Sequence, residues 1–306
     1  MERTERPLLK PWYRLSVEGG RSVLRYAGSV LEFDGAAAER LLPHLLPLLD
    51  GTRSVDDVVA ELGEAVRPAV EHALSLLRAH DLLTEGAPRS DGTGRCAELL
   101  AATLGLTVAE TQRRLPSVDV RILGSGPSAI PLGRLLQMSG ARSVESLRWD
   151  DDPAGGFVVA VPGSAEVPRL SEWNTRAVAA GTEWMQVLPF DGRLAAVGPV
   201  FVPGETACHE CFRLRRDSTI AAAPDRARGA YLGSPAIDAA LAGLAAHVVV
   251  GRLAGGETGD AGTLLALELV PELRCTRHFV YRVPRCPACS PAAQRASLAP
   301  WSDVAA

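Results

Sequence analysis

Lysine is almost missing from this chain. Lys10 is the only one among 306 residues, so nearly all the positive charge is arginine. No site beyond the first dozen residues can use a lysine side chain. A strong charge of either sign is missing too. The net charge of -4 at pH 7 gives no general attraction to nucleic acid or to an anionic membrane surface. No uninterrupted apolar run approaches the roughly 20 residues of a membrane-spanning helix. Behind Met1-Glu2-Arg3-Thr4-Glu5-Arg6 there is no apolar signal core, so the expected compartment is the cytoplasm. Thiols stay reduced there, which favours metal over disulfide for clustered cysteines.

Cysteine is scarce as well, at six residues, but four of them form two pairs of one pattern. Cys208-His209-Glu210-Cys211 and Cys286-Pro287-Ala288-Cys289 each separate two thiols by two residues. That spacing lets both thiolates of a knuckle face one ion, and two knuckles complete a tetrahedral sulfur shell for zinc. The long interval between them ties a late loop to the end of a folded domain, unlike a self-contained zinc finger. A closed four-thiolate shell leaves no position for substrate, so the expected zinc is structural. A disulfide or four unrelated thiols are the alternatives. Four thiolates leave no place for His209, which is read as a loop residue. Cys96 and Cys275 are left over and read as small buried hydrophobes. Cys275 or His278 could substitute if a knuckle is mispaired.

Residues 1–86 read as a small winged-helix-like module. Tyr13 to Val17, Ser22 to Tyr26 and Ser29 to Phe33 are short strand-like runs separated by glycine turns. Three helices follow. The first carries Leu41, Leu42, Leu45, Leu48 and Leu49; the second opens on Ser54 and Asp57, spaced as a capping box; the third carries Val70, Ala73, Leu74 and Leu77 and ends near His80-Asp81. Leu82-Leu83 is a short return. A winged helix suggests DNA, but acids outnumber arginines from Ser54 to Asp81, and a helix meeting phosphates should be basic.

Residues 87–117 read as a linker and a connecting helix, 118–290 as an α/β domain, and 291–306 as a tail. The strand from Val118 to Leu123, the turn Gly124-Ser125-Gly126-Pro127-Ser128-Ala129 and the helix from Ile130 to Ser139 open a Rossmann-like sheet. Strands follow near Val144–Trp149 and Gly156–Val161, then a helix through Asn174 to Ala180 and a strand-rich stretch from Glu183 to Val202. Arg215 to Gly233 reads as a polar loop and Pro235 to Leu253 as a long helix. Thr263–Val270 and His278–Val283 read as closing strands. The turn is poorly suited to a phosphate: Pro127 has no N–H to offer, and Ala129 stands at the third glycine position. ATP is therefore not expected.

The order Gly124-Ser125-Gly126, Asp150, Asn174, Gly204 to Cys211, Pro235-Ala236 and Cys286 to Cys289 resembles the ThiF-like superfamily of adenylation folds, over nearly all of residues 118 to 290. The resemblance implies a nucleotide site with a fuller glycine loop, an arginine-bearing segment, a lysine and a magnesium aspartate. Here the arginine segment is deleted before Phe157, no lysine exists past Lys10, and Pro162-Gly163 stands at the aspartate's place. The implied state is a degenerate fold. The N-terminal module is similar to the PqqD-like recognition element of peptide-modifying systems, through Lys10-Pro11-Trp12-Tyr13, Leu49-Asp50-Gly51-Thr52 and Leu82-Leu83. That similarity implies a leader peptide added as a strand along Ser29, Val30, Leu31, Glu32 and Phe33, against the helix face of Val70, Ala73, Leu74 and Leu77. The same apolar stripe could equally fill the module's core.

Together the two resemblances imply an ocin-ThiF-like partner of azoline-forming cyclodehydratases. Such a partner binds the leader of a ribosomal precursor peptide and presents it to a separate YcaO-domain enzyme. A homodimer is implied by the family fold alone. The rivals are an ATP-dependent peptide-adenylating enzyme and a DNA-binding regulator.

Overall fold

The computed structural model describes residues 5–10, 13–18, 21–26, 29–86, 100–101, 106, 108–192, 194–219, 233–255, 261–268 and 272–290. The chain divides into two units, Met1–Arg114 and Leu115–Ala306. The connecting helix therefore belongs with the first unit. Its described part is Val108–Arg114. Cys96 and the tail from 291 lie outside the described residues.

In the first unit, β2 (Arg14–Glu18), β3 (Arg21–Tyr26) and β4 (Ser29–Phe33) form an antiparallel sheet with β3 in the middle. A second, two-stranded sheet pairs β1 (Pro7–Leu9) with β5 (Leu83–Glu85). The expected return at Leu82-Leu83 is thus a strand, and its partner β1 went unanticipated. The helices α1 (Ala36–Leu45), α2 (Val55–Leu62) and α3 (Arg67–Ala79) carry the apolar stripes seen in the sequence, except that α1 ends at Leu45, so Leu48 lies in a following 3-10 turn and Leu49 just beyond it. Leu42, Leu45, Val58, Val59, Leu74, Leu77 and Leu82 form one buried cluster with Leu24 of β3.

The start of α2 shows why it begins where it does. Ser54 Oγ accepts from the N–H of Asp57 at 3.1 Å, and Asp57 Oδ2 accepts from the N–H of Ser54 at 2.9 Å. Two otherwise orphaned donors are satisfied reciprocally. Ser54→Ala should cost about 1 kcal/mol, lowering the melting temperature of the first unit by about 4 °C. Differential scanning calorimetry of the full chain checks it.

The second unit is a seven-stranded sheet in the order β12-β11-β10-β9-β8-β6-β7. The strands β6 (Asp119–Leu123), β7 (Ser143–Leu147), β8 (Phe157–Ala160) and β9 (Trp184–Leu188) run parallel. Every residue of β8 and β9 is buried, as expected of interior strands covered on both faces. The strands β10 (Leu194–Phe201), β11 (Thr263–Glu268) and β12 (Arg274–Phe279) continue the sheet antiparallel. The last strand lies four residues earlier than the expected His278 start. Cys275 on it is exposed, which corrects the expectation of a small buried hydrophobe.

After α4 (Val108–Arg114), the helices of the second unit are α5 (Ala129–Met138), α6 (Arg169–Ala180), α7 (His209–Thr219) and α8 (Pro235–Gly255). The span from Arg215 to Thr219 is therefore helical rather than loop, while 220–232 lie outside the described residues. Among the described residues α8 alone is long and apolar enough to cross a membrane. It packs instead against α5 and β10, with Leu241, Ala245 and Val249 fully buried.

Candidate metal centre, glycine turn and sheet edge

The two knuckles meet. Cys208 Sγ lies 3.9 Å from Cys211 Sγ and 3.6 Å from Cys286 Sγ, and Cys211 Sγ lies 3.6 Å from Cys289 Sγ. All four sulfurs fall within 4.8 Å of one another. A tetrahedral zinc with Zn–S of about 2.3 Å requires sulfurs about 3.8 Å apart, so the cluster fits such an ion. A disulfide needs about 2.05 Å, and all the cysteines described are free thiols. Cys275 and His278 are not part of the cluster.

Local structure explains the geometry. Cys208 immediately precedes α7 and Cys211 lies in its first turn, where the helix end favours negative charge. The N–H of Val283 points at Cys211 Sγ from 3.3 Å. The hydrogen bond from Cys208 and this backbone donor outweigh burial, and hold the Cys211 thiol down to about 4. Cys208 is pushed up by the same hydrogen bond and by burial, and Cys289 is pushed up to about 11, chiefly by burial. A bound cation would replace these protons. Cys208, Cys211 and Cys286 also belong to the buried cluster of Trp149, Trp173, Trp184 and Phe201, so the knuckles continue the sheet's core.

His209 is not a loop residue. It is buried as the first residue of α7. Its N–H donates to Asn174 Oδ1 at 3.0 Å, and its Nδ1 lies 2.8 Å from Gln186 Oε1. Asn174 on α6 and Gln186 on β9 are both fully buried. They fix the first knuckle from two elements at once. Asn174 stood in the motif order; Gln186 carried no signal, because nothing in an apolar strand says which face its one polar residue serves.

The glycine turn follows β6. A Cβ on Gly124 would sit 2.7 Å from the Val161 carbonyl oxygen, and one on Gly126 would sit 2.6 Å from that of Pro162. These glycines let the turn press onto the chain leaving β8. The N–H of Gly126 donates to Val161 O at 2.8 Å. That of Ser125 donates to Oε2 of Glu166 at 2.9 Å, a residue that stands in no motif. Asp150 is ion-paired with Arg169 at 2.9 Å, and Lys10, buried in the first unit, with Asp81 at 2.7 Å.

The residues expected to hold a peptide divide. Val70, Ala73, Leu74 and Leu77 are at most 9% exposed, and the structure places them in the core rather than on a groove surface. Leu31 and Phe33 are half-buried against that core, while Val30 and Glu32 are exposed. Among the described residues the strand carrying them, β4, pairs only with β3, which leaves its other edge open.

No family model matches the chain, and no curated protein sequence matches it. Solved structures do. A heterocyclase in complex with substrate and cofactor aligns at a TM-score of 0.67 and 20% identity, over 94% of this chain and 40% of that one. The heterocyclase TruD aligns at 0.67 and 21%, over 94% and 43%. Escherichia coli MccB with MccA-N7isoASN aligns at 0.69 and 15%, over 92% and 99%. The chain shares their fold. That likeness bears out the mixed α/β architecture with a central sheet. The chain spans well under half of the heterocyclase chains but nearly the whole of MccB.

Proposed function

We propose that this chain is a non-catalytic partner protein acting in the cytoplasm. It captures the leader of a ribosomally made precursor peptide and presents it to a separate YcaO-type cyclodehydratase for azoline formation. Zinc at Cys208, Cys211, Cys286 and Cys289 holds the second unit together and takes no part in chemistry. The observation that carries the reading is the open edge of β4 within a fold shared with a substrate-bound heterocyclase. An extended peptide would add there as a fourth strand, with backbone hydrogen bonds giving affinity. The half-buried Leu31 and Phe33 would offer an apolar margin beside it. The glycine turn supports the absence of adenylation, since the N–H groups of Ser125 and Gly126 are engaged within the chain. A second reading, ATP-dependent peptide adenylation, is favoured by MccB, solved with AMPCPP and MccA.

The test titrates the fluorescently labelled leader of a candidate precursor peptide into the full chain without ATP and follows anisotropy. Saturable binding is expected, with no precursor-dependent pyrophosphate exchange. A chain lacking residues 1–86 is expected not to bind. Absence of binding by the full chain would remove leader capture, and exchange would install the adenylation reading.

A further inference from the structure

The parallel part of the sheet reverses its winding between β6 and β8: the chain passes from β6 outward to β7, then returns to the other side of β6. Open α/β sheets bind ligands at such a reversal, beyond the carboxyl ends of the strands. Three segments converge there: the glycine turn after β6, Trp149 after β7, and Pro162-Gly163 after β8. Donors from all three aim at a single group, the side chain of Glu166. Its Oε2 accepts from the N–H of Ser125 at 2.9 Å and of Gly163 at 2.8 Å, and its Oε1 accepts from Trp149 Nε1 at 2.9 Å.

We propose that Glu166 is a built-in occupant of an anion seat at this reversal, and that it excludes phosphate-bearing ligands there. Backbone N–H groups gathered at a tight turn are the means by which proteins hold phosphates and carboxylates. Here the anion belongs to the chain. A second anion in the seat would face carboxylate repulsion and find the N–H groups of Ser125 and Gly163 taken. Burial alone would raise the Glu166 carboxyl, but the two backbone donors and the indole outweigh it and keep the group below its usual value. The seat is thus matched to negative charge. The inference concerns the second unit alone and does not require leader capture, which is measured separately and can fail without it.

Opening the seat tests it. Glu166→Ala removes the carboxylate and leaves its three donors in place; Glu166→Gln keeps the bulk and removes the charge. Inorganic phosphate and, separately, formate are titrated into the full-length wild type and variants, with chloride at equal ionic strength as the control. The readouts are tryptophan emission, assigned to Trp149 by its loss in Trp149→Phe, and thermal shift. The wild type should respond to phosphate no more than to chloride. Glu166→Ala should show saturable millimolar binding of phosphate or formate, at least roughly tenfold stronger than the wild type. Glu166→Gln covers the case in which the alanine variant does not fold, with a weaker response of the same kind. Saturable phosphate binding by the wild type would overturn the proposal. So would folded variants that respond to phosphate and formate only as they do to chloride.

Discussion

Cys211→Ser should abolish the metal and unfold the end of the second unit. Cys211 touches the segment of the second knuckle at two points, through Cys289 and through the N–H of Val283, and it is fully buried. Serine offers a poor ligand at neutral pH and leaves a hydroxyl in an apolar core. A structural zinc site contributes its binding free energy to folding. The second unit contains the sheet's core, so it should not unfold entirely, but Cys286 and Cys289 lose what fastens them. Metal analysis of the purified wild type should give one zinc per chain, and of the variant close to none. The melting temperature of the second unit should fall by at least about 10 °C. Chelation of the wild type should reproduce the shift and added zinc should reverse it. A wild type free of metal, or a variant that melts with it, would sink the site. Because Cys208 and Cys289 are raised and hold their protons at neutral pH, metal binding should release protons. The apparent affinity should therefore weaken as pH falls and the thiols retain their protons.

The parts of the molecule that sequence revealed share a physical cause. The knuckles are legible because metal chemistry fixes residue type and spacing together. The apolar strands β8 and β9 are legible because burial on both faces leaves little choice of side chain. The missed elements lack such a signature. Helix α7 is polar around most of its surface, and ion pairs of Arg213 with Glu210 and Asp217 lie along it. Pairs three and four residues apart stabilise a helix without any hydrophobic period. Strand β12 is exposed on both faces, so its Arg-Cys-Thr-Arg-His sequence shows no alternation, and only its ladder with β11 makes it a strand. The pairing of β1 with β5 joins segments that are distant in the chain. Glu166 and Gln186 act through contacts set by the fold, which no local pattern encodes. The helix stripe of Val70, Ala73, Leu74 and Leu77 illustrates the opposite case: the pattern was plain, but an apolar stripe does not say whether it meets the core or a ligand.

Proline substitutions in β4 should separate leader capture from folding. Successive N–H groups along a strand point to opposite edges, so those of Leu31 and Glu32 face different ways: one toward β3, the other toward the open edge. Leu31→Pro and Glu32→Pro therefore remove donors of opposite function. The variant that loses the donor facing β3 breaks the existing ladder and lowers the first unit's melting temperature. The other keeps that ladder, because proline is tolerated on an edge facing solvent, but its ring obstructs an incoming strand. That second variant should melt like the wild type and bind the leader at least roughly tenfold more weakly. Loss of one backbone hydrogen bond accounts for about 1 kcal/mol of this, and displacement of the neighbouring pairs by the ring supplies the rest. Leu31 is half-buried, so its replacement also loses packing, whereas Glu32 is exposed and its replacement does not. The melting curves distinguish the two effects before any affinity is compared. If both variants fold and both bind the leader as the wild type does, β4 is not the docking edge. Binding would then have to be sought elsewhere, without the strand-addition geometry that gives the proposed function its physical basis.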